Sequence, residues 1–403
     1  MAQEKASKKS TAWKRSYVVS AMKREIKGAA SNELGNAFIW SGFKYYLRQA
    51  TDSYIVYSPV KYWKVQGIAD KKFLSGFAFN RRHFHTNIDA CIMCALWANF
   101  ADTGTEVISL KAYDIENSNT VLLPKTLPVK KIHTFFSKHY YDSRDFSTDS
   151  SDGILVGLDG LEAPINVKRR IAPRFNKNIL GYMVADGSGF DNPDTHSSLL
   201  VAGRYNGNGF FLRKDNYLEK LPMFCASRYI NYNRAWTERA RIMKSADGAN
   251  KYYADVASGK LRQFLLKCLL FTCLEMQNHM RTFTGSDGRF YRNELCFDDT
   301  NGETIALRDI KALSIGNKEA KLLSHWETVL YWAKQAKNYD SALTYGVYQI
   351  FAELDTSHSD EVTGGTVWDN VELHTALAGL KMLVREYYNS EIVPTLFEYE
   401  YLK

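Results

Sequence analysis

The sequence predicts an α+β protein, with a mixed, β-rich N-terminal half and a helical C-terminal half. Three patterns carry that expectation. Glu106 to Tyr113 alternates apolar and polar residues, and Thr120 to Leu123 resumes extended character after a turn-rich Asp114 to Asn119, as a hairpin would. Lys251 to Met280 repeats apolar residues at helical spacing, with Leu261, Leu265, Cys268, Leu269 and Thr272 on one face. The apolar fraction of 45% supplies a core and argues against disorder. The expected organisation is a basic tail and leading helix over 1–30, a β-rich mixed domain over 31–215 and a mainly helical domain over 216–403.

The elements follow in order. Residues 1–30 carry eight Lys/Arg against two Asp/Glu, and a helix is expected from Ser16, with Val18, Val19, Met22 and Ile26 at helical spacing. Ala37 to Leu47 reads as a short helix. Ser53 to Tyr57 is strand-like, and Pro59 ends it. Phe73 to Asn80 is expected to turn at Gly76. Asp89 to Phe100 is an apolar run whose periodicity does not separate strand from helix. Asp142 to Asp152 reads as an exposed loop, Gly153 to Gly157 and Ile179 to Ala185 as strands, and Asp186 to Gly209 as a zone of turns. Helices are expected over Asn231 to Ser245, Lys251 to Met280, Lys318 to Asn338, Ser341 to Leu354 and Glu372 to Asn389. Asp355 to Gly365 reads as a surface loop.

The net charge is +8, which favours an anionic partner such as nucleic acid over a neutral one. The six cysteines lie mostly in apolar runs, as buried thiols do in a reducing compartment. With no secretory segment and no apolar run of membrane-spanning length, a cytoplasmic location and no membrane partner are expected.

Several catalytic signatures are missing. The eight prolines are never adjacent, so the Asn-Pro-Pro-aromatic loop that holds a flipped adenine is not in this chain. Phe283 to Gly288 holds a glycine string, but it follows an expected helix and reads as a turn. No cofactor is expected in this chain, and S-adenosylmethionine, if used, belongs to a partner subunit. Asp159, Glu162 and Lys168 are a loose nuclease-like set, as are Glu294, Asp298 and Asp299; neither has the tight Glu-x-Lys spacing after an Asp, so exposed turn carboxylates are the favoured reading of both. Cys91 and Cys94, preceded by His83 and His85, lack the second pair of a zinc ribbon, so no metal site is assigned.

Basic residues among aromatics are the positive signal. Phe77 to His85 interleaves Asn80, Arg81, Arg82, His83 and His85 with aromatic rings. Arginine bonds phosphate or guanine in bidentate fashion, asparagine pairs with adenine, and rings stack on unpaired bases. Lys168, Arg169 and Arg170 form a cationic run that cannot all point inward. Arg213 and Lys214 follow a glycine-rich turn that permits close backbone approach. Arg239 and Arg241 suit a helix facing phosphate. Solvated faces and structural turns are the competing readings for each.

These same segments resemble a known family. Ser53-Tyr-Ile-Val-Tyr-Ser-Pro-Val-Lys-Tyr-Trp63, Gly76-Phe-Ala-Phe-Asn-Arg-Arg-His-Phe-His85, Asn208-Gly-Phe-Phe-Leu-Arg-Lys-Asp-Asn216, Lys220-Leu-Pro-Met-Phe-Cys-Ala-Ser-Arg-Tyr229 and Phe397-Glu-Tyr-Glu-Tyr-Leu-Lys403 resemble the C-terminal, target-recognition region of large bacterial restriction–modification N6-adenine DNA methyltransferases. The resemblance runs from about residue 35 onward. It implies a module that binds double-stranded DNA and works with a methyltransferase or restriction subunit, since the methyltransferase motifs are not here. The alternative classes are a metal-dependent nuclease and an assembly protein whose basic face meets another protein.

Overall fold

The structure, a computed structural model, describes residues 12–80, 91–135, 154–155, 174–175, 178–185, 197–200, 209–226, 241–284, 288–360 and 362–403. It is α+β, with a five-stranded sheet in the N-terminal half and helices through the C-terminal half. Two compact units fall within 1–133, 232–243 and 403, and within 134–231 and 244–402. The compositional change near residue 215 is therefore not where the units divide. Tertiary contacts draw the boundary at 133, and they assign the three-stranded sheet around 179–213 to the second unit.

The first unit begins with α1 (Tyr17–Glu25), capped by the Ser16 hydroxyl accepting from Val19 N, and α2 (Leu34–Ser41). The sheet follows: β1 (Ser53–Pro59), β2 (Lys71–Asn80), β3 (Cys91–Ala101), β4 (Val107–Glu116) and β5 (Asn119–Lys130), in the order β1-β3-β2-β4-β5. Only β2 and β4 run parallel. The apolar run that periodicity left open is β3; strands on both of its edges satisfy its backbone, which a lone periodicity cannot reveal. Asn117 and Ser118, with φ of 48° and 67°, make the tight β4–β5 turn.

β2 does not turn at Gly76. It passes straight through, with an irregularity between Phe73 and Ser75 that leaves Leu74 exposed. Gly76 serves close packing instead, because a Cβ there would lie 2.9 Å from a Leu110 methyl and 3.0 Å from the Cys94 carbonyl. The inner face of the sheet carries Val56, Ala78, Met93, Trp97, Leu110 and Val129, in one core with Met22, Ile39 and Trp40 of the helices.

Lys64 is the unusual member of this unit. It is 2% exposed, and its ammonium donates to the carbonyls of Arg241 and Lys403, each at 2.6 Å. Its own carbonyl accepts from Ile132 N at 2.8 Å, and Met243 and Lys403 exchange backbone bonds beside it. The helix expected to reach Ser245 thus gives way to extended backbone at Met243.

The second unit holds a three-stranded sheet, β6 (Ile179–Ala185), β7 (Ser197–Leu200) and β8 (Gly209–Arg213), with β6 in the middle. Helices follow: α3 (Tyr217–Cys225), α4 (Ala249–Ala257), α5 (Arg262–Leu274), α6 (Ile305–Ile310), α7 (Asn317–Ala333), α8 (Val347–Glu353), α9 (Val371–Tyr387) and α10 (Val393–Glu398). The single helix expected over 251–280 is broken by Gly259, whose φ of +78° ends α4. Residues 341–346 do not join α8. Within the expected loop at 355–365, Ser357–Ser359 pairs with Thr366–Trp368, and Asp360 accepts from Val362 N and Thr363 Oγ1 in the connection.

α5 is buried almost all round, from Phe264 to Leu274, so it acts as the axle of the unit. Phe271 meets Phe224 and Tyr388, and α7 packs on α9. Glu391 bridges Lys267 and Lys318, each at 2.6 Å. Those two hydrogen bonds, Lys267 first, hold its carboxyl down at about 2, against an ordinary 4.5.

Two outcomes follow. Lys64→Met leaves two buried carbonyls without a donor, and should cost about 3 kcal/mol in urea unfolding. The depressed Glu391 contributes stability above its unfolded value near 4.5 that is lost as pH falls toward 2. Unfolding free energy should therefore drop by about 2 kcal/mol more in the native chain than in Glu391→Gln across that window.

Candidate nucleic-acid interface

Strand alternation that buries one face of the five-stranded sheet sends a second row of residues outward. On β1 these are Ile55 and Tyr57, 59% and 53% exposed. On β2 they are Phe77 and Phe79, and on β4 Lys111, Tyr113 and Ile115. The parallel register sets Phe77 beside Lys111 and Phe79 beside Tyr113. Three rings consequently meet on an open sheet: Phe77 and Tyr113 edge to face at 5.5 Å, Phe79 and Tyr113 stacked at 5.8 Å, and Phe77 and Phe79 at 6.2 Å. Leu122, opposite Tyr113 on β5, extends the surface.

The charges on this face have one sign. Lys72, Lys111 and Lys130 are exposed at outward positions, whereas the other outward residues of β1 to β5 are apolar, aromatic or hydroxyl-bearing. An aromatic surface ringed by cations, without carboxylates, matches the two components of a nucleic-acid strand: flat bases and anionic phosphates.

The residues singled out in the sequence fall in several places. Asn80 ends β2 but faces inward, fully buried opposite Cys91, so its expected contact with adenine is not available in this fold. The strand parity that exposes Phe79 is what buries it. Arg81, Arg82, His83 and His85 follow directly and lie outside the described residues, as do Lys168, Arg169, Arg170 and Arg239. Arg241 is half-buried, where a phosphate-binding helix residue would be exposed. Its Nη1 donates to the Pro128 carbonyl at 3.1 Å, and burial pulls its pKa down, with the nearby Cys91 acting in the opposite sense. Arg213 ends β8 and pairs with Asp215 at 3.2 Å, while Lys214 is exposed beside a polar hollow that Asn216, Glu219 and Arg262 also line. The described members are thus scattered, whereas the sheet face brings three rings together with exposed lysines. Its legible signal was the outward alternation of 77/79 and 111/113/115, where rings occupy positions that solvent-facing strands usually fill with polar residues.

Two of the nuclease-like carboxylates have structural partners. Glu294 pairs with Arg292 at 2.9 Å and accepts from Ile305 N. Asp298 is fully buried, accepting from Thr300 and from Tyr345 N at 2.7 Å. Only Asp299 is exposed. Asp159, Glu162 and Lys168 lie outside the described residues. Among the described residues no His/Cys/Asp/Glu group is arranged to hold a metal ion. Cys91 and Cys94 sit on opposite faces of β3, a separation that a Cys-x-x-Cys in a strand imposes. Burial pushes the Cys91 thiol up to about 12. No helix among the described residues is long and apolar enough to cross a membrane.

Comparison with family models, with curated proteins and with solved structures finds no match for this chain.

All six cysteines are free and buried. Native protein should accordingly resist iodoacetamide at about pH 8, with alkylation appearing only after unfolding. Mass spectrometry reads this directly, and prompt native labelling of Cys91 or Cys94 would contradict their placement.

Proposed function

We propose that the chain is a DNA-binding target-recognition module, working beside a separate methyltransferase or restriction subunit of the adenine-methyltransferase type. The observation that carries this reading is the outward platform of Phe77, Phe79 and Tyr113, flanked by Lys72, Lys111 and Lys130 and leading straight into the Arg81-Arg82 segment. An unpaired or extruded base stacks on the rings, and the cations neutralise neighbouring phosphates. The family resemblance of the sequence supports the same assignment. S-adenosylmethionine and the transfer chemistry belong to the partner subunit in this scheme.

A salt titration on duplex DNA, read by fluorescence anisotropy, tests it. Binding should weaken steeply with salt, since each neutralised phosphate releases counterions. Phe77→Ala and Tyr113→Ala should each weaken binding by about 1–2 kcal/mol with little change in salt slope. Lys111→Glu should lower the slope. No duplex binding at low salt, or full binding by the double ring variant, would refute the reading.

A further inference from the structure

The strand register sorts the outward residues of the five-stranded sheet into rows that cross the strands. One row runs Tyr57, Cys94, Phe77, Lys111 and Thr126. The next runs Pro59, Ile92, Phe79, Tyr113 and Leu122. Because β2 and β4 are parallel, the two rows stay in step, two residues apart along both strands. That separation is about 6.8 Å. Bases stacked along one strand of a duplex follow each other at about half of it, 3.4 Å.

The chemistry of the rows is as one-sided as their spacing. Tyr57 and Phe77 are 53% and 40% exposed, and Phe79 and Tyr113 are half-buried. Neither row holds a carboxylate or an amide side chain. Their polar groups are the Lys111 ammonium, the Cys94 thiol and the hydroxyls of Tyr57, Tyr113 and Thr126. The rows thus offer carbon surface and positive charge, with few groups that could read a base edge. A paired duplex cannot use such a surface well. Its bases cover one another's faces and present only edges and phosphates outward.

We infer that the sheet face holds an opened DNA strand, as two successive unpaired nucleotides drawn out to about twice the duplex spacing. One base lies on the Tyr57–Phe77 row and the next on the Phe79–Tyr113 row. Lys111, beside Phe77 in its row, neutralises a phosphate of this stretch. Every base has a π-face, so the rows accept any sequence, and the target sequence is discriminated outside them. This inference rests on the DNA-binding reading above and adds to it the state of the bound strand.

Fluorescence anisotropy of the full chain at one fixed salt concentration tests it. The probes are a fully paired duplex and the same duplex carrying a bulge of one, two or three nucleotides. The two-nucleotide bulge should bind at least about tenfold more tightly than the paired duplex, which must be unpaired and unstacked before its bases reach the rings. The gain should be largest between one and two unpaired nucleotides. Exchanging the bulged bases, thymine for cytosine or adenine, should change affinity less than about threefold. Phe77→Ala should weaken the bulged duplex about tenfold. Tyr57→Ser, at an exposed side chain, keeps the fold and should weaken it as well, so a misfolded Phe77 variant would not leave the question open. Paired duplex bound as tightly as bulged, with both dependent on Phe77, overturns the opened-strand inference and leaves the DNA-binding reading standing. A bulge preference untouched by both ring variants puts the strand elsewhere and also overturns it. No binding of any probe overturns both.

Discussion

A single buried ammonium organises the first unit. Lys64 has lost nearly all contact with water, and desolvating an ammonium is costly unless donors and acceptors match closely. Its two acceptors are backbone carbonyls at Arg241 and Lys403, the latter 339 positions away in the chain. Both bonds tie the short helical turn Lys61–Lys64 to the backbone at Arg241 and at residue 403. The Lys64 carbonyl then receives Ile132 N, two residues past β5, tying the same point to the sheet.

With that anchor in place, the sheet can devote one face entirely to the core. Ala78, Met93, Trp97 and Leu110 point inward, so Phe77, Phe79 and Tyr113 must point outward. The open aromatic face is the geometric counterpart of the buried one. Its functional reading depends on lysines lying among the rings while carboxylates do not. A face of this composition is poorly served by water alone, which is why a flat, anionic partner suits it.

The second unit explains much of the aromatic content differently. Tyr252 donates to the Glu219 carbonyl, Tyr388 to the Cys225 carbonyl, Tyr387 to Glu319 and Tyr217 to Asp309. Each places a large apolar ring in the core and satisfies its hydroxyl there. The acidic partners raise the pKa of Tyr217 and Tyr387 further, after burial itself, and so keep both phenols neutral. Many of the 25 tyrosines therefore build a core, and richness in aromatic residues alone is a weak sign of nucleic-acid binding.

The sequence by itself determined the α+β class, the helix that begins near Ser16, the β4–β5 hairpin and the burial of the cysteines. These depend on local periodicity, capping and turn chemistry, all of which act within a few residues. Only the tertiary structure decided that residues 91–101 form a strand, that Gly76 admits close packing and makes no turn, and that Asn80 and Arg241 are drawn inward while Phe77 and Tyr113 face out. Those outcomes depend on which strands pair and in what register, and register joins positions that have no local sign of one another. The buried Lys64 is a clear case: a lysine reads as surface in any window, and it bonds acceptors 177 and 339 positions away.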